Sequence, residues 1–291
     1  MLPLESVPNV SEGRDASVIA ALGDAFSSRA RLLDVHSDAD HHRSVFTLVG
    51  GEGDGELVES LLAGIARSRE LVDLRRHEGV HPRVGAADVV PLVPIRPVDM
   101  PRAEAAALRL GERVGEELGL PVFLYGASGG GRRPAFFRHG GPAELQARID
   151  AGELAPDFGP TRLDPTAGAV LVGARQPLVA FNVDLAIDDV EVAREIAAVV
   201  RESSGGFPGV QALGLRLSGR TQVSMNLLDV ERTHLHEVVA TVAAEARERG
   251  VDVVGGELVG LMPASVAVAA AAAPLALPAL DPTRVLELRL L

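Results

Sequence analysis

The stretch LVAFNVDLAIDDVEVAREIAAVVRESSGGFPGVQALGLRLSGRTQVSMNLLD, residues Leu178–Asp229, decides the fold. Leu178–Ala186 reads as a strand and Asp189–Arg201 as an amphipathic helix. Gln211–Leu217 and Gln222–Leu227 then form a predicted hairpin around Ser218–Arg220. His234–Arg249 is a second helix and Val251–Val254 a short strand. The order is β-α-β-β-α-β, the ferredoxin-like pattern, which puts both helices on one face of one sheet. A helix at Ser265–Ala273 and a final strand at Val285–Leu290 complete the chain.

The same alternation extends backwards. Strands are predicted at Leu2–Val7, Arg31–Val35, Ser44–Val49, Asp88–Ile95, Val122–Tyr125 and Ala169–Ala174. Helices are predicted at Asp15–Ala30, Glu56–Glu70 and Arg102–Leu118. Gly126–Pro134 is a Gly/Arg loop with no phosphate-binding glycine spacing, and His139 lies in a turn. The fold class is therefore α+β, with two α/β subdomains, residues 1–177 and 178–291, joined near Gln176–Pro177. No sequence repeat proves a duplication.

Composition narrows the chemistry. The chain has 291 residues, 47% of them hydrophobic, enough for a substantial core. It contains no cysteine, which removes disulfides, thiolate catalysis and cysteine-ligated zinc. It contains no lysine, so all 28 basic residues are arginines and a Schiff-base lysine is excluded. A net charge of −12 argues against general nucleic-acid binding. The N-terminus lacks a secretory pattern. The apolar run Ala264–Leu280, rich in alanine with prolines near its end, reads as a buried helix and not as a membrane span. A cytoplasmic protein is expected.

Five of the eight histidines lie in the first 81 residues. RRHEGVHPRVG, Arg75–Gly85, sets His77 and His81 four apart among Arg75, Arg76 and Arg83. Gly79 between them and Pro82 after them predict a loop in place of a helix. A histidine on an arginine-rich loop suits proton transfer beside an anionic substrate, and near its ordinary pKa it can both accept and donate. An ordinary solvated loop is the other reading. HSDADHHR, His36–Arg43, gathers Asp38, Asp40, His41 and His42. It matches no metal-ligand spacing, so a solvated or substrate-lining loop is expected and no metal. Glu12 could serve as a base, although acidic residues near a helix start are ordinary. Gly159–Gly168, GPTRLDPTAG, is a stiffened loop suited to a ligand or to a plain connection. Gln222, Ser224 and Asn226 alternate and so share one sheet face. His234 and His236, two apart at a helix start, are expected at the surface with no common face.

Several motifs then line up in order: VPNVSEGR (Val7–Arg14), LLDVHSDADHHRSVFTLVG (Leu32–Gly50), RRHEGVHPRVGAADVVPLVPI (Arg75–Ile95), EELGLPVFLYG (Glu116–Gly126), APDFGP (Ala155–Pro160), VGARQPLVAFNVDL (Val172–Leu185), QVSMNLLD (Gln222–Asp229) and GGELVGLMP (Gly255–Pro263). Together they resemble the formiminotransferase domain family, in its stand-alone form without a cyclodeaminase domain. The resemblance implies two α/β subdomains with a substrate groove between their sheets. It implies transfer of a formimidoyl group from N-formimidoyl-L-glutamate to N5 of tetrahydrofolate, a co-substrate, in histidine degradation and one-carbon metabolism. It places the acid/base role on His81. Folate and substrate contacts fall on Gly159, Pro160, Thr161, Arg162, Leu163, Asp164, Pro165, Thr166, Ala167 and Gly168. They also fall on His42, Arg43, Asn182, Gln222, Ser224 and Asn226. Two positions depart from the family: His42 stands where asparagine is frequent, and Ala167 where the animal form has an aromatic residue. The partners implied are small molecules, with no nucleic acid or membrane and with room for a homodimer. A non-catalytic folate-binding protein or a metal-dependent relative on the same scaffold is the alternative.

Overall fold

Leu4–Ser6 (β1) and Asn9–Val10 (β2) are two pieces of one path through a sheet, interrupted at Val7 and Pro8. Proline has no N–H to give to a ladder, which breaks the strand predicted at Leu2–Val7. The structure, a computed structural model, describes residues 2–51 and 53–270. The predicted strand Val285–Leu290 and the end of the predicted helix Ser265–Ala273 lie outside the described residues. The chain divides into two units, Met1–Gln176 and Pro177–Leu291.

The first unit continues with α1 (Ala16–Phe26), β3 (Arg31–Asp38), β4 (Arg43–Val49), α2 (Asp54–Leu71), β5 (Ala87–Pro94), α3 (Met100–Glu117), β6 (Val122–Gly126), α4 (Pro134–Arg138), α5 (Gly141–Asp150) and β7 (Val170–Ala174). Its seven-stranded sheet has β1 and β2 filling the row between β4 and β5, with β3 outside β4. The pairings on this side are antiparallel, whereas β5, β7 and β6 run parallel in that spatial order. The predicted helix Asp15–Ala30 is shorter at both ends: Asp15 is its cap, the carboxylate accepting the N–H groups of Ser17 and Val18, and Ser27 closes it, its N–H donating to the Gly23 carbonyl.

Alternating side chains divide the core between two faces. Leu48, Val90, Leu92, Val122, Leu124 and Val172 pack with Leu22 and Phe26 of α1, Leu57 and Ile65 of α2, and Leu110 of α3. Val89, Phe123, Tyr125 and Leu171 pack instead with Phe137 of α4 and with Leu145 and Ile149 of α5. Covered on both faces, β5 is buried along its whole length, as the apolar run after Asp88 requires. Helices α4 and α5 replace the loop and turn predicted there. Gly140 and Gly141 hide the boundary, but Pro142 in the first turn of α5 is an ordinary helix-start signal.

The second unit runs β8 (Val179–Leu185), α6 (Val190–Val200), β9 (Val210–Leu217), β10 (Arg220–Leu227), α7 (Leu235–Glu248), β11 (Val253–Val259) and α8 (Ala264–Ala270). Its sheet order is β11-β8-β10-β9, antiparallel throughout, which is the ferredoxin-like arrangement expected. Val179, Phe181, Val183, Val223, Met225 and Leu227 pack with Ile196 of α6 and with Val238 and Val242 of α7. Asn182 lies directly opposite Ser224, and Asp184 opposite Gln222, on the other face. Strand β11 is longer than the predicted Val251–Val254. It passes through Gly255 and Gly256 with a shift of register after Val253, so the glycines mark a bulge and not an end. His234 and His236 do meet: their rings stack 5.6 Å apart. His234 is the cap of α7 in extended backbone, so helical spacing does not govern it. Among the described residues no helix is long and apolar enough to cross a membrane.

Candidate active site

The connection from α2 to β5 is a loop, as Gly79 and Pro82 predict. Asp73 caps a single turn over Leu74–Arg76, and extended chain follows from His77. Arg83 gives the loop its shape, donating to the carbonyls of Gly79 at 2.7 Å and His81 at 2.6 Å. Asp88, at the start of β5 and 1% exposed, accepts the N–H groups of Val84 at 2.7 Å and Gly85 at 3.2 Å. Its second oxygen pairs with Arg138 of α4. A Cβ at Gly79 would stand 2.5 Å from the carbonyl oxygen of His41, so this glycine lets the loop lie directly on the β3–β4 turn.

That turn is HSDADHHR. His42 adopts φ +50°, unusual for a residue with a side chain. The conformation turns its ring onto His77, with centroids 4.0 Å apart, while His41 stacks on His81 at 6.1 Å. Four imidazoles from two loops thus form two pairs. The Nε2 of His42 lies 3.2 Å from Glu12 Oε1 and its Nδ1 3.1 Å from the carbonyl oxygen of Glu78. Glu12 also accepts the N–H groups of Arg14 and Asp15. Despite the opposing effect of burial, those bonds and the His42 charge hold its carboxyl below the ordinary range.

His77 and His81 face one acceptor and one cation each. His77 Nε2 donates to the His42 carbonyl at 2.8 Å, and Arg83 donates to its Nδ1. His81 Nδ1 donates to the Pro82 carbonyl at 2.8 Å, and Arg43 donates to its Nε2 at 2.7 Å. A guanidinium has no lone pair to accept with, so these partners fix both rings as neutral tautomers. Burial first, and Arg83 second among the opposing influences, push His77 down to about 4. Burial, then Arg43 and Arg138, push His81 well below 6.5. A histidine near its ordinary pKa was expected from the sequence; burial, and then the arginine beside Nε2, lower it instead.

Arginines dominate the surroundings. Burial and the charge of Arg138 lower Arg43 to about 10, although Asp88 and Asp38 oppose them. The Tyr125 side chain is 3% exposed, with Arg175 near its hydroxyl. Burial raises that phenol to about 12. The Arg138 Nε has no hydrogen-bond partner among the described residues. Sequence reasoning missed Asp88, Arg138 and Tyr125. A signal existed for Asp88, a carboxylate opening an unbroken apolar run, which is stable inside only when paired.

The Gly159–Gly168 loop is sewn to this region by backbone. Leu74 N–H donates to Thr166 O, Ala86 N–H to Ala167 O, and Ala169 N–H to Val84 O, at 2.8–3.0 Å. Asp164 gathers the loop end by accepting from Thr166 and Ala167, and Arg69 pairs with it. Gly159, Pro160, Thr161, Arg162 and Pro165 are exposed, Leu163, Asp164 and Thr166 partly so, and Ala167 and Gly168 buried. The methyl of Ala167 belongs to the core of the first unit. In the second unit Asn182, Gln222, Ser224 and Asn226 share the face away from the helices. The Asn182 amide donates to Glu257 at 2.8 Å and the Gln222 amide to Asp184 at 3.0 Å. Among the described residues no three His, Cys, Asp or Glu side chains are grouped to hold a metal ion.

Two family descriptions match the chain: "Formiminotransferase domain, N-terminal subdomain" over residues 3–175 and "Formiminotransferase domain" over residues 180–275. The chain is 40% identical over 270 residues to a glutamate formimidoyltransferase of Streptococcus pyogenes serotype M1, covering 90% of this chain and 89% of that one. It is 37% identical over 295 residues to a glutamate formimidoyltransferase of Thermoplasma acidophilum, covering 98% and 96%. It is 42% identical to a formimidoyltransferase-cyclodeaminase of Sus scrofa over 92% of this chain and 52% of that longer protein.

Proposed function

We propose, from the premise that this chain belongs to the formiminotransferase domain family, that it is a glutamate formimidoyltransferase. The donor is N-formimidoyl-L-glutamate and the acceptor is N5 of tetrahydrofolate. N5 attacks the amidine carbon and forms the new C–N bond. The tetrahedral intermediate then expels the glutamate nitrogen, giving 5-formimidoyl-tetrahydrofolate and glutamate. Overall the N5 proton moves to the departing nitrogen, so one group must accept a proton and later return it.

The observation that carries this reading is the neutral His81 ring, partly exposed on an arginine-rich loop, with Nδ1 donating to the Pro82 carbonyl and the Nε2 lone pair turned to the Arg43 guanidinium. His81 takes the acid/base role in this proposal. His42, Arg43, the exposed arc of Gly159–Gly168, Asn182, Gln222, Ser224 and Asn226 are assigned to substrate and folate binding. The reaction needs no metal, and the enzyme is assigned to the cytoplasm with small molecules as its partners.

Incubation with both substrates should yield 5-formimidoyl-tetrahydrofolate; a folded protein that makes none refutes the function. His81→Ala should lose on the order of 10²- to 10⁴-fold in kcat with substrate binding largely kept. An active His81→Ala beside an inactive His77→Ala would move the role to His77.

A further inference from the structure

Arg43 is held in a way that its charge does not favour. Its guanidinium donates to His81 Nε2 at 2.7 Å and lies 3.3 Å from Nδ1, and no carboxylate pairs with it among the described residues. A neutral imidazole is a poor partner for a largely buried cation, which ordinarily finds a carboxylate. Of the two carboxylates near it, Asp88 is already committed to two backbone N–H groups and to Arg138, and Asp38, opposite Arg43 in the ladder, accepts the His41 N–H and forms no ion pair with Arg43. Arg138 keeps an Nε with no hydrogen-bond partner among the described residues. The region therefore holds more cationic and donor capacity than its own acceptors use. It also leaves His81 unable to act, because the Nε2 lone pair is occupied.

We propose that Arg43 is a removable cap on His81: a carboxylate of the formimidoyl donor, received by the Arg43 and Arg138 guanidiniums, draws Arg43 away from Nε2 and frees that nitrogen only in the ligated enzyme. This rests on the transferase reading and adds the order of events. Two guanidiniums suit a carboxylate because each presents paired N–H groups to its two oxygens. The exchange is favourable in sign. It replaces a bond from Arg43 to a neutral acceptor with one to an anion and offsets the repulsion between Arg43 and Arg138. The groups facing His81 are Arg43 of β4, Arg138 of α4, His41 of the β3–β4 turn, and the Pro82 carbonyl and Arg83 of its own loop. A carboxylate arriving at Arg43 offsets the strongest cation among them, so His81 becomes more basic.

The test uses L-glutamate, the product that retains the donor's two carboxylates, and the full chain with its histidines labelled for NMR. His81→Asn identifies the His81 resonance. Saturating glutamate should raise the His81 pKa by about one unit or more, a tenfold change in protonation. Chloride at equal ionic strength should not. In Arg43→Gln the His81 pKa should already be raised without ligand, should respond little to glutamate, and glutamate should bind at least about tenfold more weakly. Arg43→Lys should restore part of each effect, and it carries the test with the wild type if Arg43→Gln does not fold. Any of three results overturns the proposal: glutamate does not bind, it binds without moving His81, or Arg43→Gln leaves His81 as in the wild type. Formimidoyl transfer is assayed on the same preparation. Transfer with an unmoved His81 refutes the cap alone; a responsive His81 without transfer refutes the function alone.

Discussion

Replacing Asp88 by asparagine should be among the most damaging single-atom changes in the first unit. Asp88 is 1% exposed and carries three interactions: the N–H groups of Val84 and Gly85 on one oxygen and Arg138 on the other. Asparagine keeps one carbonyl oxygen for the two backbone donors, so those bonds, worth roughly 0.5–1.5 kcal/mol each, survive. What it loses is the charge facing Arg138, and it turns an NH₂ group toward a guanidinium. Breaking a buried pair from one side costs about 3–5 kcal/mol because the other charge stays behind. In a unit of this size that is a fall in Tm of roughly 6–20 °C. Thermal and urea unfolding of Asp88→Asn measure it. Asp88→Asn with Arg138→Met should recover much of the loss, since the orphaned cation is gone. A single variant within about 1 kcal/mol of the wild type, or a double variant as unstable as the sum of the singles, would refute the reasoning.

Three further outcomes are expected. His77 and His81 have native pKa values below the 6.5 of an unfolded chain, so below that pH the unfolded state binds more protons; stability should fall as pH drops from about 6.5 toward 4, with a shallower slope in His77→Gln, and an unchanged slope would contradict the assignment. Gly168→Ala should destabilise the Gly159–Gly168 loop by about 1–3 kcal/mol in urea unfolding, because φ there is +69° and a Cβ would meet the Val84 oxygen at 2.1 Å; a neutral effect would mean the crossing can open. Turnover should survive exhaustive chelation; loss restored by one divalent metal would turn the His36–Arg43 loop into a metal site.

What the sequence made legible is local. Alternation along Leu178–Ala186 and Gln222–Leu227 places Asn182 and Ser224 on one face because strand periodicity is a property of neighbouring residues. Gly79 and Pro82 mark the His81 loop because they act on their own backbone. The second layer of the first unit was hidden, since α4 and α5 are short and the glycines around them read as loop. The site's chemistry was hidden for a different reason. Arg43 meets His81 across 38 positions, and Arg138 meets Asp88 across 50. No spacing rule encodes such contacts, yet with burial the two arginines keep the histidine neutral.

The choice of His81 over His77 is a case in point. The two share a motif, a loop and a neutral ring, and sequence alone separates them only by resemblance. His77 is locked on both nitrogens: Nε2 by the His42 carbonyl, and Nδ1 by Arg83, which also holds the Gly79 and His81 carbonyls. Freeing either nitrogen would unmake the loop. His81 is anchored by Nδ1 to the carbonyl of Pro82, while its Nε2 is blocked by Arg43, whose side-chain hydrogen bonds among the described residues are both to the His81 ring. Moving Arg43 disturbs no carbonyl of the loop. A base must expose a lone pair without losing its orientation, and of the two rings only His81 has a nitrogen that can be released while the other still holds it.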